Sequence, residues 1–298
     1  MSTQIPDELK TDMPQTTWGR ILVATPVVMT VVATLLAGLA SSEMTRAQYN
    51  RSFAAQQQAK AGDQWSFFQA KRLRGTMQLS TLDLLKGTAS LRPLDEAGLK
   101  KFGDVDAAAS AALLKGEVPP VPGSTVSDLP LKNALEAVER MKPESEVRSL
   151  LESVKTATVD EAIQAARDRA AAFDSATSPI SRSVDRLEKA VAVSGPADLV
   201  RDVSAARLRY TAARYEVEAR LNQAVANLYE LQVRMSNMAA ERHHRRSEQF
   251  FFGMLAAQAA VITATFALAA RQRSLLWGLA AGVGVVAVAF AVYVYLWL

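Results

Sequence analysis

The only two histidines, His243 and His244, stand side by side in Arg242-His243-His244-Arg245-Arg246. Imidazole nitrogens are common metal ligands. Adjacent positions on a helix lie about 100° apart, so the two rings do not converge on one ion, and the neighbouring arginines oppose a cation. No metal site is expected here. The basic run has a better use outside an apolar span: Arg242, Arg245 and Arg246 are expected to meet lipid phosphates, each contributing about 1 kcal/mol near an anionic surface.

A second group that invites a chemical reading is Asp63-Gln64-Trp65-Ser66-Phe67-Phe68-Gln69-Ala70-Lys71. Helical spacing puts Trp65 and Phe68 on one face with Ala61 and Arg72, and turns Asp63 and Lys71 away. That arrangement favours an aromatic knob, packed against a returning helix or a neighbouring copy, over a ligand-stacking site. The string Gly282-Val283-Gly284-Val285-Val286-Ala287 matches a dinucleotide fingerprint only as letters, because it lies within an apolar span with no strand before it. Gly278 and Gly282, four residues apart, are expected instead to let two membrane helices approach closely, against Ala257, Ala260 or Ala264. No Walker loop, HExxH string or nucleophile elbow occurs, and the carboxylates are scattered. With no cysteine in the chain, thiolate catalysis, disulfides, Cys-bound zinc and iron–sulfur clusters are excluded together. The expectation is a protein that is no enzyme and needs no cofactor.

The elements that carry these residues are set by three apolar stretches, 21–40, 250–270 and 275–298, each close to the ~20 residues that cross the ~30 Å hydrocarbon core. None contains Asp, Glu, Lys or Arg. Aromatic and basic residues flank them: Trp18 and Arg20, then Phe250, Phe251 and Phe252, then Trp277, Tyr293, Tyr295 and Trp297. The tail 1–20 lacks a basic n-region, so the first span reads as an uncleaved anchor. A chain of 298 residues that is 49% hydrophobic and has a mean hydropathy of +0.04 is neither an ordinary soluble enzyme nor a dense polytopic transporter. Its formal charge of +4 is interleaved along the sequence rather than gathered, which disfavours nucleic acid as a partner. Arg271 and Arg273 in the short loop 271–274 place that loop in the cytoplasm by the positive-inside rule. The middle of the chain is then periplasmic or external.

Between the spans, 41–90 contains no proline, and Ala47, Ala54, Ala61, Trp65, Phe68, Leu79 and Leu82 recur at helical steps. Joined to the first span, this ascending helix runs to roughly 70 residues, with Gly62 and Gly75 as places to bend. The segment 91–195 reads as a loop-rich helical cap, broken at Glu117-Val118-Pro119-Pro120-Val121-Pro122-Gly123, at Ser178-Pro179 and at Ser194-Gly195-Pro196. Short helices are expected over 132–141, 144–157 and 159–176. Pro196 suits a first helical turn, and 196–249 then forms one helix that continues into the second span. Its heptad places Val200, Leu221, Leu228 and Met235 at one seam position and Val203, Tyr210, Val217, Ala224, Leu231 and Met238 at the other. Arg207 and Arg214 interrupt that seam and are expected to face carboxylates.

The Asp63–Lys71 string resembles the domain of unknown function 4337 family, whose members carry Asp-Gln-Trp, paired aromatics and Gln-Ala-Lys. Phe67 and Phe68 stand where tyrosines are usual in that family. Arg271, Arg273, Leu276 and Trp277 match the family's basic residues before a Leu-Trp in a terminal two-helix hairpin. The resemblance implies a bacterial membrane protein and supplies no chemistry. Together these readings define an all-α membrane protein: three transmembrane helices, a long helical hairpin with a coiled-coil middle, and the cap. Trp65, Phe68, Val217, Leu221, Leu228, Leu231 and Met235 are expected to pack helix against helix, on the returning helix or on another copy, and because so thin a hairpin buries little, association should supply the missing burial. The expected function is an oligomeric scaffold, or an accessory subunit bound to another membrane protein. A pore component and a helical-hairpin sensor input module are the alternatives, and the sensor would need a separate output partner.

Overall fold

The computed structural model describes residues 17–103, 106–121, 123, 128–269 and 273–297. The tail before Thr17, Pro122, Arg271 and Leu298 lie outside the described residues, as do the side chains of Trp18, Arg273 and Trp297. Eight helices occur among the described residues and no strand: α1 (Thr17–Thr88), α2 (Glu96–Lys100), α3 (Ala107–Lys115), α4 (Leu129–Glu139), α5 (Glu144–Leu151), α6 (Thr156–Ser194), α7 (Ala197–Ala269) and α8 (Arg273–Trp297). Three of them, α1, α7 and α8, are long and apolar enough to cross a membrane. This is the layout of an all-α, multi-pass membrane protein. The described residues divide into two compact units, one made of those up to Phe53 and from Ser236 onward, the other of Ala54–Met235.

In the first unit the three apolar segments pack through small side chains. Ala33, Leu36, Ala40, Phe250, Ala257, Ala287 and Val294 form one buried cluster. Ala280, Ala287 and Val294 of α8 recur every seven residues and are at most 1% exposed, which marks the helix face turned inward. Pro26 lies inside α1, which continues through it. The hydroxyls of Thr25, Thr30, Thr34, Thr263 and Thr265 each donate to the carbonyl four residues earlier at 2.8–2.9 Å. These polar side chains are thus satisfied within their own helices.

In the second unit α7 lies between two antiparallel neighbours. Its contacts with α6 step in opposite directions along the two chains: Ser204 donates to Glu188, Arg207 meets Asp185, Arg214 donates to Ser181 and Gln232 to Asp160. On another side Lys60 lies over the Tyr229 ring, Lys71 pairs with Glu218, and Gly75 abuts Tyr215 and Ala212. A thin two-helix hairpin is therefore not what forms. The expected break at Ser178-Pro179 is absent, and α6 is a single helix of 39 residues with Pro179 inside it. Pro179 is exposed, so the carbonyl its ring displaces can turn to solvent. Across it the stripe Phe173, Thr177, Ile180, Val184, Leu187 and Val191 stays buried, and that continuous packing outweighs the local preference to stop. Helices α2 and α3 cap this layer by adding Leu99, Ala109, Ala112 and Leu113 to the core around Tyr210.

The cap helices start where aspartates accept a backbone N–H: Asp95 from Gly98, Asp106 from Ala109 and Asp128 from Leu131. The last turn of α3 is closed by Gly116, whose φ of +73° favours glycine. Arg209 then donates to the freed carbonyls of Leu113 and Leu114 at 3.1 and 2.9 Å. The break at Ser194-Gly195-Pro196 does occur, between α6 and α7. Gly75 serves packing rather than bending, and Gly62 faces open space.

Candidate functional site

The second unit contains a cleft of about 740 Å³ whose long wall is one face of α7. Arg220, Gln223, Ala224, Asn227, Glu230 and Arg234 line it at steps of three and four residues, the spacing that keeps side chains on a single helix face. Trp65 of α1 forms a second wall, and the end of α4 with the start of α5 closes the third through Val138, Glu139, Met141, Lys142 and Val147.

That third wall is shaped by an unusual helix end. The N–H of Lys142 reaches the carbonyl of Ala137, and that of Met141 reaches Val138, both at 3.0 Å. This pairing ends a helix with a left-handed residue, a position usually held by glycine. Here the residue is Met141, with φ +52°. A Cβ in this region costs about 1–2 kcal/mol, and the thioether side chain so placed is 92% exposed at the rim.

The polar groups of the cleft are arranged in two sets. Its two carboxylates are engaged by neutral donors from the opposing walls: Trp65 Nε1 donates to Glu230 Oε1 at 2.6 Å, and Asn227 Nδ2 to Glu139 Oε1 at 3.1 Å. Asn227 is only 4% exposed, so its amide sits in the floor rather than on the surface. The three cations pair outward with carboxylates that do not line the cleft: Arg234 with Glu144, Lys142 with Glu146 and Arg220 with Glu216. Elsewhere in the unit, burial pushes the Tyr210 hydroxyl's pKa up from 10.0, while the Ser181 hydroxyl and Arg214 pull it down and Glu218 adds to the rise.

The residues singled out by sequence are distributed unequally. Trp65 and Phe68 are half-buried and meet edge to face at 5.4 Å, with Arg72 over the Phe68 ring. Leu221, Leu228 and Leu231 are 8%, 2% and 0% exposed, so they are covered within a single chain, while Val217 and Met235 are half-buried. For these leucines the cover comes from helix packing within the chain. Arg207 does face carboxylates, Asp185 at 3.0 Å and Glu188 at 3.2 Å, and Arg214 faces Glu218 at 3.2 Å. Among the described residues Gly278 and Gly282 have nothing within 4 Å of a Cβ, and none is brought close to them there. The close approaches fall at Gly284, against Met29, and at Gly253, against Leu36.

In the basic run, Arg242 and Arg245 are exposed and Arg246 is half-buried, with Arg245 paired to Glu241. The two histidines diverge, as their spacing requires: His243 Nδ1 lies 2.6 Å from Glu43 of α1, and His244 Nε2 lies 3.3 Å from Glu248. Glu43 is 8% exposed and also pairs with Arg46 at 3.1 Å. Among the described residues no cluster of three or more metal-ligating side chains occurs.

Fold and site together describe an all-α protein with three helices able to span a membrane and a polar cleft in its second unit. Residues 18–111 match the family model described as Domain of unknown function (DUF4337). The match takes in the Asp63–Lys71 string and runs on through α2; the carboxy-terminal hairpin lies beyond it. Comparison with curated proteins and with solved structures found no match.

Proposed function

We propose that the protein is a non-enzymatic membrane scaffold, or an accessory subunit of a bacterial envelope assembly, built by association of its copies along α1. The observation that carries this reading is a bare apolar stripe: Leu73, Met77 and Leu84 are 62%, 59% and 71% exposed. At about 100° per residue these three fall within roughly 40° of one another around the helix. Steps of four and seven residues are those of a coiled-coil seam, and copies inserted in one membrane share one orientation, so like stripes meet like. Lipid is the other partner, through the apolar segments and the exposed Arg242 and Arg245. The proposed location is the bacterial inner membrane with 41–249 extracytoplasmic, in keeping with Arg271 and Arg273 in the short loop.

The test is the mass of the particle extracted from native membranes in mild detergent. A homo-oligomer, or a complex with a second protein, is expected. Replacing Leu73, Met77 and Leu84 together by Asp is expected to reduce the particle while helicity is retained. Unchanged particle size would remove the α1 stripe from the reading. Sidedness is checked separately: in this cysteine-free chain, Val193→Cys, at a position 88% exposed and outside the α1 stripe, should react with an impermeant maleimide added outside spheroplasts, and protection until lysis would place the middle in the cytoplasm.

A further inference from the structure

We infer that the cleft between α1, α4, α5 and α7 is a binding site for an amphipathic organic anion. This stands apart from the scaffold reading, since the stripe of Leu73, Met77 and Leu84 does not line the cleft. A volume of about 740 Å³ is that of sites for small organic molecules. Its apolar surface is supplied by Trp65, Val138 and Met141, an indole face with aliphatic neighbours, which suits a flat or acyl body.

The sign of the charge follows from how the polar groups are engaged. Glu230 and Glu139 already accept from Trp65 and from the 4% exposed Asn227, and both donors belong to the cleft itself. Among the described residues Arg220 and Lys142 pair with carboxylates four residues away along the chain. Exposed pairs of that kind are weak, so an incoming carboxylate, sulfonate or phosphate exchanges for Glu216 or Glu146 at small cost. Arg234 adds a third cation, itself paired to the exposed Glu144. Arg220 and Arg234 are 14 residues apart on one helix face, about 21 Å at helical rise, so the anion has a cationic anchor toward either end of the groove.

Met141 is the strongest sign that the rim is built for contact. Its left-handed backbone would be relaxed by glycine, yet the position carries a long, adaptable thioether of the kind that moulds to varied apolar ligands. Retained strain of this sort is concentrated at ligand clamps.

The experiment titrates naphthalene-2-sulfonate into the full-length protein in lipid nanodiscs by calorimetry, with empty nanodiscs and the cation 2-naphthylmethylammonium as references. One saturable site per chain for the sulfonate, and none for the ammonium, is expected. Arg220→Gln with Arg234→Gln should weaken binding about tenfold or more, as for lost charge-assisted bonds. Ala224→Trp removes no charge and fills the cleft from its exposed wall; it should abolish binding with thermal stability unchanged. Met141→Gly should raise thermal stability and lower affinity, a combination that a merely structural role would not give. The inference is overturned by heat indistinguishable from empty nanodiscs, by equal binding of the ammonium, or by binding that the folded Ala224→Trp protein retains.

Discussion

Within Ala54–Met235, α1 and α7 are both proline-free and both carry helical apolar repeats, yet they are used in different ways. Helix α7 is covered from two sides, and its Val203, Tyr210, Leu228 and Leu231 are at most 2% exposed. Helix α1 turns small residues inward, with Ala54 and Ala61 at most 4% exposed and Gly75 close against Tyr215 and Ala212, while the opposite face bears Leu73, Met77 and Leu84 in the open. Large apolar residues on a heptad therefore identify a buried seam without saying whose chain buries it. In α1 the small ones mark the face that meets α7.

The sharpest way to break the contrast is to place a charge in each helix. Leu228→Asp is expected to destabilise the second unit by more than about 3 kcal/mol, read as lost helicity and a lowered Tm. If Leu228→Asp instead left Tm unchanged and only reduced particle mass, the single-chain burial of α7 would be refuted. Next in size is Gly284→Leu in α8, which meets Met29 and is expected to cost about 1–3 kcal/mol by overpacking, measured by thermal unfolding in detergent. Gly278→Leu, with nothing within 4 Å of its Cβ among the described residues, should be tolerated in the same assay.

A pH experiment probes the core of α7. Because burial raises the Tyr210 hydroxyl, the folded chain holds that proton more tightly than the unfolded one. The contribution is full below pH 10 and drains away as pH rises through the raised folded value. Stability should thus fall above pH 10 less steeply once Tyr210→Phe removes the group; an unaltered slope would show that other groups govern it. Arg207→Ala loses partly exposed pairs with Asp185 and Glu188 and should cost no more than about 1 kcal/mol. Smallest of all is Leu84→Asp, within about 0.5 kcal/mol of the parent in fold stability, with its effect confined to particle mass.

How far the sequence could be read depended on the range of the forces involved. The three apolar segments, the continuity of α1 and α7, and the break at Ser194-Gly195-Pro196 are recorded in local composition and period. The Trp65–Phe68 pair was legible as a shared face. The cleft was not, because Trp65, Glu139 and Asn227 lie far apart along the chain and nothing local in Asn227 distinguishes a floor amide from a solvated one. Asn227 among heptad leucines was the available hint, since a buried amide needs a partner.

What the sequence determined by itself is therefore the helical, membrane-spanning character of the chain: hydropathy and periodicity are sums over neighbours, and no distant contact changes them. What only the tertiary structure decided is which apolar faces are covered, whether Pro179 ends a helix, and which glycines lie at a close approach. Each of those depends on a partner element whose position no local pattern encodes. Pro179 illustrates the reason most plainly, because a local cost of about 3 kcal/mol is outweighed by a buried stripe from Phe173 to Val191 that exists only once α6 lies against α7.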